Sequence, residues 1–396
     1  MRHYKIIVFP CVLVIVLALL SSSTGIVQAA SASGCGPWIV VHNPKLLAVD
    51  ANFYGVTAIA PNDVWAVGYA NPGVGPIPSL IEHWDGSTWS VVNNPNPGTI
   101  DDRFFGVRAM ASNDVWAVGS QSNSVNTNIS STLVEHWNGS AWSVVHSPNV
   151  GSGANVLNGV TTLSATDAWA AGYWSNKGST ANFSLIEHWD GVSWKVVKHP
   201  DPSTYEDRFF QVGATSANDI WAVGNHYTNG SQGPVHTLIE HWDGTQWSVV
   251  KSVNVQSSDD NLSGVVALST SDVWAVGQFS KLGGAGNAQT LVEHWDGTQW
   301  SIVPSPNVSF SLGLDDVAAV SATSIWAVGN AYNRNASVSR TVIEHWNGTS
   351  WSVVNSPNPT AQSFLDGVTA LPDGKVWAVG EVVGNIIGKP LIESHC

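Results

Sequence analysis

A Glu-His pair that recurs along the chain is the first set of residues that could carry chemistry. It occurs six times, always before a Trp, as Glu82-His83, Glu135-His136, Glu187-His188, Glu240-His241, Glu293-His294 and Glu344-His345. Such a pair could bind a metal ion or act as an acid and a base. Adjacent strand residues point to opposite faces, however, and a pair present in every copy serves the repeat itself. We therefore expect a structural role, with the Glu accepting hydrogen bonds from a neighbouring turn and the His partly buried between sheets.

An Asp that stands two residues before a Trp recurs in the same way. Its copies are Asp63, Asp114, Asp167, Asp219 and Asp272. Short acidic side chains in turns commonly accept hydrogen bonds from local backbone amides. We interpret these residues as turn residues with that role.

A second set of acids and arginines differs from one copy of the repeat to the next. It includes the segments Asp101-Asp102-Arg103-Phe104-Phe105, Glu206-Asp207-Arg208-Phe209-Phe210, Asp259-Asp260 and Asp315-Asp316. Gln211 and Asp316 stand where most copies have Gly, and Arg108 stands where other copies have Thr, Val, Gly or Ala. Carboxylates that face each other could hold Ca²⁺ or cleave a glycan as an acid/base pair. The simpler alternative is that they are solvated loop residues.

The elements that must position these side chains follow from an internal repeat of about 52 residues. The phrase Val-Trp-Ala-Val-Gly and its variants place a Trp at 65, 116, 169, 221, 274, 326 and 377. A second motif, Trp-Ser-Val-Val with its variants Trp-Lys-Val-Val and Trp-Ser-Ile-Val, occurs six times. Its missing seventh copy is Trp38-Ile39-Val40-Val41 near the other end of the chain. The chain itself ends inside a repeat, at Leu391-Ile392-Glu393-Ser394-His395-Cys396.

Each repeat has the pattern of four short strands separated by turn residues, and no helical period follows residue 30. Units of this size that recur four to eight times are typical of a β-propeller. We predict an all-β, seven-bladed propeller over 38–396, with antiparallel blades near 53–93, 104–146, 157–198, 209–251, 262–303, 312–355 and 365–396. Strand 38–42 is predicted to pair in the last blade and close the ring, and the recurrent Trp side chains are predicted to fill the gaps between blades.

The phrases VWAVG and LIEHWDGTQWSVV resemble the Kelch repeat, and the turn Trp84-Asp85-Gly86-Ser87-Thr88-Trp89 resembles the Asp-box of sialidase-like propellers. The chain departs from the Kelch pattern by having one Gly, such as Gly68, where that repeat has two. Both resemblances imply the propeller fold. Neither implies an activity, because propellers serve as enzymes and as binding scaffolds.

Connections between strands are expected to lie on two rims. The first-to-second and third-to-fourth connections are short and nearly identical, and we call their side the turn rim. The other connections vary freely, and we call their side the variable rim. The variable rim holds the aromatic residues that depart from the repeat, namely Tyr69, Tyr173, Trp174, Tyr227, Phe279 and Tyr332. They are either singly exposed side chains or part of a surface that binds a sugar or a protein.

Residues 1–30 have the pattern of a secretion signal, with Arg2, His3 and Lys5 before an apolar run from Ile6 to Leu20. An uncleaved anchor is the alternative. Residues 31–37 form an N-terminal segment that carries Cys35, for which lipidation is an alternative to pairing. We expect a secreted protein with no membrane span once the signal is removed.

The two remaining cysteines stand at equivalent positions of the interrupted repeat. Alignment of the last copy on the first places Cys396 on Asp85, and alignment of Trp38 on Trp89 places Cys35 on Gly86. Consecutive Cα atoms lie about 3.8 Å apart, and disulfides span about 4.4–6.8 Å. We therefore predict a Cys35–Cys396 disulfide that replaces the missing peptide link.

Composition narrows the classes of function. Charged residues make up 11% of the 396 residues, and the formal net charge is −14. Because such a chain lacks the cations that neutralise phosphates, we expect neither nucleic acid nor an anionic membrane as a partner. A copper-radical oxidase is disfavoured, since Cys35 and Cys396 lie at the chain ends.

We expect a monomer without a cofactor, apart from the Ca²⁺ considered above, that binds an extracellular glycan or protein and is not a catalyst. The alternative is a glycan hydrolase or lyase. The candidate ligand-binding residues are the six aromatics above with Asp102, Arg103, Arg108, Asp207, Arg208, Gln211, Asp315 and Asp316.

Overall fold

A computed structural model describes residues 36–125, 128–203, 205–227, 233–255, 258–281, 287–307, 311–384 and 387–396. Every helix or strand assigned in these ranges is a β-strand, which confirms the predicted all-β class. The strands as far as β14 are β1 (Ile39–Val40), β2 (Asp50–Ala60), β3 (Asp63–Asn71), β4 (Ser79–Trp84), β5 (Trp89–Val91), β6 (Asp101–Ala111), β7 (Asp114–Ser122), β8 (Ser131–Trp137), β9 (Trp142–Val144), β10 (Asn155–Ser164), β11 (Asp167–Trp174), β12 (Phe183–Trp189), β13 (Trp194–Val196) and β14 (Asp207–Ser216). Those that follow are β15 (Asp219–Tyr227), β16 (Val235–Trp242), β17 (Trp247–Val249), β18 (Ser258–Ser269), β19 (Asp272–Lys281), β20 (Gln289–Trp295), β21 (Trp300–Ile302), β22 (Ser311–Ser321), β23 (Ser324–Asn333), β24 (Val338–Trp346), β25 (Trp351–Val354), β26 (Gln362–Ala370), β27 (Val376–Gly384) and β28 (Ile387–His395).

Consecutive strands pair into four-stranded antiparallel units. Units 1 to 5 are the sheets β2–β5, β6–β9, β10–β13, β14–β17 and β18–β21. Unit 6 (β22–β25) and unit 7 (β26–β28 with β1) belong to one larger sheet, in which a single parallel pair, Ser339 opposite Gln362, joins β24 to β26. Strand β1 pairs with β28, with Ile39 opposite Ser394, so the N-terminal strand completes unit 7 as predicted.

The first strand of a unit begins earlier than the sequence predicts. Strand β6 starts at Asp101, where it pairs with Ser122, although the unit was predicted to start near residue 104. Asp101, Asp102 and Arg103 therefore belong to a strand and not to a loop. The apolar pattern stops at the edge of the core, whereas hairpin pairing continues through polar residues beyond it.

Recurrent Trp side chains fill the gaps between neighbouring units, as predicted. The ring of Trp65 in unit 1 lies 5.1 Å from that of Trp137 and 5.5 Å from that of Trp142, both in unit 2. The ring of Trp377 in unit 7 makes the equivalent contact with Trp84 of unit 1, at 5.3 Å. Apolar side chains of two units meet in each core cluster, and one cluster joins the last unit to the first.

Each first strand contains a β-bulge at the same place. The register shift leaves one extra residue per unit, and these residues are Tyr54, Phe105, Asn158, Phe210, Ser263, Asp315 and Asp366. The residue after the bulge is Gly in five units, and neighbouring first strands approach closely there. A Cβ atom on Gly106 would lie 2.7 Å from the carbonyl oxygen of Asn158. The bulge re-aims one side chain of each unit away from the regular alternation.

Candidate functional site

The seven bulge residues line a cavity of about 390 Å³, which we call the mouth. The bulges lie near the start of the first strands, so the mouth opens on the variable rim. A narrower cavity of about 170 Å³, which we call the channel, follows the first strands of all seven units. The two cavities share Val56, Val107, Gln211 and Asp316 as lining residues. With about 30 Å³ per water molecule, the channel holds a few waters, and the mouth has room for a side chain or a sugar ring.

Chemical character is unevenly distributed around the mouth. Units 1, 2 and 4 contribute the aromatic bulge residues Tyr54, Phe105 and Phe210, and the rings of Tyr54 and Phe105 lie 5.3 Å apart. Units 6 and 7 contribute the carboxylates Asp315 and Asp366. The mouth therefore has an aromatic side and an acidic side.

Both mouth carboxylates are held by side-chain amides. Asn52 Nδ2 donates to Asp366 at 2.9 Å, and Asn330 Nδ2 donates to Asp315 at 3.1 Å. Burial raises the pKa of the Asp366 carboxyl to about 7, and the negative charge of Asp315 adds to this shift. Burial likewise raises the pKa of the Asp315 carboxyl to about 7. Each carboxyl therefore holds its proton to a higher pH than an exposed aspartate does.

Gln211 and Asp316 line the mouth, where the sequence placed them by their departure from Gly. The Asp316 carboxylate accepts hydrogen bonds from the backbone amides of Val317 and, in the next unit, Val368, both at 2.9 Å. Burial raises the pKa of the Asp316 carboxyl to about 6. Gln211 Oε1 accepts from the Val212 amide at 3.0 Å. Both side chains thus accept from the backbone amide of the next residue, and the Asp316 carboxylate also joins units 6 and 7.

Arg108 lines the channel, and among the described residues that line it no other side chain is cationic. The first strands enclose the Arg108 side chain, and the solvent that it contacts is the water inside the channel. Burial lowers the pKa of Arg108, and the negative charge of Asp316 opposes that shift.

Arg103 and Arg208 form two copies of one arrangement. Arg103 Nε donates to both oxygens of Asp101, at 2.9 and 3.1 Å, and its guanidinium lies 4.3 Å from the centre of the Tyr69 ring. The Tyr69 hydroxyl donates to Asp50 at 2.7 Å. Arg208 lies 2.7 Å from Glu206 and 4.8 Å from the centre of the Tyr173 ring. Each guanidinium thus lies beside an acid and an aromatic face of the protein itself.

Asp102 and Asp207 do not reach the mouth, contrary to the sequence prediction. Asp102 is 1% exposed and accepts from the Gly98 amide with both oxygens, at 3.1 and 3.0 Å. Asp207 is 0% exposed and accepts from the Ser203 amide at 3.0 Å. Strand alternation turns them away from Arg103 and Arg208, so they hold the loops between units. Burial raises the pKa of both carboxyls.

The aromatic residues predicted on the variable rim do not form one exposed surface. Trp174 packs on Phe183 at 4.9 Å, and Tyr227 meets Tyr205 edge-on at 5.7 Å. Phe279 packs against the core between units 4 and 5, and Tyr69 is buried beneath Arg103. Tyr332 is 38% exposed, and the other five aromatic residues are buried or partly buried.

Sequence reasoning did not select Tyr54, Phe105, Phe210 or Asp366 as site residues. A signal was present, because each of them immediately precedes the position where most repeats have Gly. Gln211 and Asp316 were selected because they replace that Gly. The residue before it could be assigned to the mouth only once the bulge was known.

The recurrent Glu residues are structural, as predicted. Seven of them, Glu82, Glu135, Glu187, Glu240, Glu293, Glu344 and Glu393, are 0% exposed. Ser147 of unit 2 donates to Glu187 of unit 3 at 2.7 Å, and Ser356 of unit 6 donates to Glu393 of unit 7 at 2.8 Å. Burial raises the pKa of Glu187 to about 8. These Glu side chains therefore connect neighbouring units, whereas Glu82 is buried without a hydrogen-bond partner among the described residues.

The recurrent Asp and His residues form a set with the recurrent Trp. His83 Nε2 lies 2.8 Å from Asp63 Oδ1, Trp65 Nε1 donates to the same oxygen at 3.1 Å, and the His83 ring lies 4.2 Å from the Trp65 ring. The prediction for Asp63 was wrong in its partners, because the carboxylate accepts from ring nitrogens and not from local backbone amides. We call this arrangement the Asp-His-Trp set, and it occurs in units 1, 3, 4 and 5.

Three further features bear on function. Within the described ranges, no group of three or more His, Cys, Asp or Glu side chains is arranged to hold a metal ion. A search of the same ranges finds no helix long and apolar enough to cross a membrane. Cys35 lies outside the described residues, so the predicted disulfide stays a prediction. The backbone of the adjacent Gly36 acts on the ring of His395, the neighbour of Cys396, and opposes the lowering of the His395 pKa by burial.

Comparison with known proteins supports the fold. No protein-family model matches the chain. No curated protein sequence matches it either. Among solved structures, the chain is similar to YCF48 bound to D1 peptide, with a TM-score of 0.54, 13% identity, and coverage of 91% of this chain and 97% of that chain.

The chain is also similar to an ulvan lyase of a new polysaccharide lyase family, bound to -[GlcA(1-4)Rha3S]-. The TM-score is 0.55 at 11% identity, with coverage of 90% of this chain and 94% of that chain. Likeness at these identities concerns the fold alone. Together with the strand pattern, it indicates a β-propeller with repeated four-stranded blades.

Proposed function

We propose that the chain is a secreted, seven-bladed propeller, closed by β1 in unit 7, that binds an extracellular glycan or protein at the mouth and is not a catalyst. The observation that carries the proposal is the division of side chains between the two ends of each unit. Side chains that recur in every unit make contacts between units, whereas the bulge side chains that differ between units collect around one cavity. Sites of recognition need different groups at fixed positions, and the bulges supply them.

The chemistry of the mouth supports recognition of a small or extended group. The aromatic residues Tyr54, Phe105 and Phe210 line the same cavity as the carboxylates of Asp315 and Asp366. Pockets that bind sugars or peptides combine apolar faces with a few polar groups in this manner. The solved structures with this fold include one bound to a peptide and one bound to a disaccharide unit.

A glycan-cleaving enzyme is the second candidate, and one observation favours it. Asp315 and Asp366 have carboxyl pKa values raised to about 7, which suits an acid and a base at neutral pH. The charge of the site argues against a lyase for uronic acids. In the described lining of the mouth the charged residues are Asp315, Asp316 and Asp366, all acids, and Arg108 lies deeper, in the channel. A hydrolase for neutral sugars is the form of this alternative that fits the site.

The test is a glycan array and an extracellular-peptide array probed with the purified protein, alongside a turnover screen on the glycans that bind. We expect retention without turnover. The double variant Phe105→Ala with Phe210→Ala should weaken binding at least about tenfold, corresponding to about 1.4 kcal/mol. Tyr332→Ala, an exposed aromatic of the variable rim outside the mouth, is the matched control and should bind normally.

Two results would contradict the proposal. Binding that survives the double variant but is lost in Tyr332→Ala would move the site from the mouth to the loops of the variable rim. Turnover that disappears in Asp366→Asn while binding persists would establish the enzyme instead.

A further inference from the structure

We propose that the mouth receives the cationic side chain of a lysine or arginine, carried by an extended segment of a protein partner. The inference rests on the proposed function, since it names the ligand of the same cavity. It is argued from arrangements that the molecule already uses for its own cations.

The protein holds two of its own guanidinium groups in the same way, between a carboxylate and an aromatic ring. Arg103 is held by the Asp101 carboxylate and the face of Tyr69, at 4.3 Å from the ring centre. Arg208 is held by Glu206 and by the face of Tyr173, at 4.8 Å. A carboxylate and an aromatic face together attract a cation through charge-assisted hydrogen bonds and the ring quadrupole.

The mouth offers the same two groups without a cation. Its described lining includes the rings of Tyr54 and Phe105 and the carboxylates of Asp315, Asp316 and Asp366, and no Lys, Arg or His is among these lining residues. Beside the lining, Glu381 adds a further carboxylate whose charge acts on Asp366, and burial raises the pKa of Glu381 to about 7. Two cations lie just outside this lining, since Arg108 in the channel acts on Asp316 and Arg103 acts on Tyr54. An incoming cation would therefore meet chiefly the charge of Asp315 and Asp366, which no positive side chain of the described lining neutralises.

A buried amide outside the cavity positions one of the acids. Asn52 is 4% exposed, is not among the residues that line the mouth, and donates through Nδ2 to Asp366 Oδ2 at 2.9 Å. The Asp366 carboxylate is thereby fixed among the lining residues of the mouth. A fixed carboxylate suits a ligand that brings hydrogen-bond donors, and lysine and arginine side chains carry three and five donors and no acceptor.

Size and charge select a segment of a partner over a folded surface. A cavity of about 390 Å³ admits one long side chain and not a protein domain. The formal net charge of −14 favours approach of a basic segment at low ionic strength. Ca²⁺ is the competing occupant, but no group of three acidic or metal-ligating side chains within the described ranges is arranged to hold an ion.

The experiment compares two short peptides of Gly residues that carry either one arginine or its neutral isostere citrulline. Isothermal titration calorimetry at low salt measures their affinity for wild-type protein and for Asp366→Asn. Asp296→Asn is the matched control, because it removes one acid from the turn rim at a position where units 2 and 6 carry Asn138 and Asn347. Circular dichroism establishes that each variant is folded, and Asp315→Asn replaces Asp366→Asn if the latter is not.

We expect the arginine peptide to bind at least about tenfold more tightly than the citrulline peptide. Asp366→Asn should remove most of that difference, and Asp296→Asn should preserve it. Because a bound cation favours ionised carboxylates, arginine binding should release protons and should strengthen from about pH 6 to about pH 8, on either side of the carboxyl pKa of about 7.

Equal affinity for the two peptides, or no measurable binding of either, overturns the cation proposal. It leaves the proposed function standing if a neutral glycan or peptide still binds in a manner that the Phe105→Ala and Phe210→Ala double variant abolishes. Arginine binding that Asp366→Asn and Asp315→Asn leave unchanged would assign the cation to another acidic surface. Tighter binding of Ca²⁺ than of the arginine peptide, lost in Asp366→Asn, would make the mouth a metal site and would also overturn the proposal.

Discussion

The turn rim and the mouth use the same repeat in opposite ways. At the turn rim, units 1, 3, 4 and 5 keep one Asp-His-Trp set, in which the His-to-Asp distance stays between 2.7 and 2.9 Å. At the mouth, seven equivalent bulges carry Tyr, Phe, Asn, Phe, Ser, Asp and Asp. The backbone conformation repeats from unit to unit at both ends, bulges included. The difference between the two ends therefore lies in what the side chains contact.

Packing explains this division. A turn-rim Trp contacts its own His and two Trp rings of the next unit, so any change disturbs two units at once. A bulge residue faces a cavity and has few packing partners to satisfy. Repetition is therefore required where units meet, and variation is tolerated where ligand could enter.

Units 6 and 7 break the turn-rim pattern at the chain ends. Ser324 replaces the Asp of the set in unit 6, and its hydroxyl lies 3.1 Å from His345 Nε2. In unit 7, Lys375 takes the Asp position, and its ammonium lies 5.0 Å from the centre of the Trp377 ring. His395 takes the position of Trp84 and stacks on Trp38 at 5.5 Å. Substitution at these positions tests the turn rim, and substitution at the bulge residues tests the mouth.

The largest expected difference between the rims is in core packing. Trp221→Ala should lower the free energy of unfolding by about 3–5 kcal/mol, because the side chain is 1% exposed and contacts Trp295 and Trp300 of the next unit. Phe105→Ala at the mouth should cost no more than about 1 kcal/mol. Urea denaturation of both variants measures the two effects, and equal losses would show that the mouth is part of the core.

The next effect concerns the junction of the chain ends at the turn rim. We predict that the Cys35–Cys396 disulfide forms on oxidation, and that Cys396→Ser lowers the free energy of unfolding by about 2–4 kcal/mol. Intact-mass measurement with and without reductant detects the bond. Two titratable thiols, at Cys35 and Cys396, after oxidation of the purified protein would refute it. A reductant that weakens the wild type but leaves Cys396→Ser unchanged would be the supporting result.

A pH effect should follow from the buried Glu residues. Burial raises the pKa of Glu82 to about 8 in the folded protein, against 4.5 as its ordinary value. The Glu82 carboxyl therefore binds its proton more tightly in the folded than in the unfolded state. Its contribution to the free energy of unfolding is fully present below about pH 4.5 and is lost as pH rises through about 8. Glu82→Gln, which introduces no charge, should reduce the loss between pH 7 and pH 8 by about 1 kcal/mol.

Chemical denaturation of wild type and Glu82→Gln between pH 7 and pH 8 gives the slope of the free energy of unfolding against pH for each protein. The variant should become the more stable protein above pH 8. Parallel slopes would mean that the Glu82 carboxyl is already ionised in the folded state. Asp85→Asn, at an exposed turn carboxylate whose pKa is lowered to about 2 by backbone amides of Ser87 and Thr88, should leave the slope unchanged.

The smallest effect should come from restoring the turn-rim pattern in unit 6. Ser324→Asp places a carboxylate opposite His345, as in units 1 to 5, and should stabilise the protein by about 0.2–1 kcal/mol. It should also raise the pKa of His345, which burial and the nearby charge of His395 lower in the wild type. NMR titration of the His345 ring detects the shift, and Ser324→Asn is the neutral control. A destabilised Asp variant with an unchanged His345 pKa would show that the set does not transfer between units.

The sequence by itself determined the repeat and most of the contacts between units. The period predicted four strands per unit, the spacing of Trp predicted the side chains between sheets, and Trp38 predicted that β1 completes the last unit. These features depend on local pattern and burial, and the same pattern is present seven times in the chain. The structural role of the recurrent Glu residues followed from the same reasoning, although their complete burial did not.

Only the tertiary structure decided which side chains meet at the mouth. Alternation along β6 separates Asp102 from Arg103, although the two are adjacent in sequence, and the bulge then reverses the alternation at Phe105. Asp366 meets Asn52 and acts on Tyr54 because the last unit lies beside the first. A one-residue register shift and the contact between distant units are properties of strand pairing, which the residue pattern of a single strand does not contain.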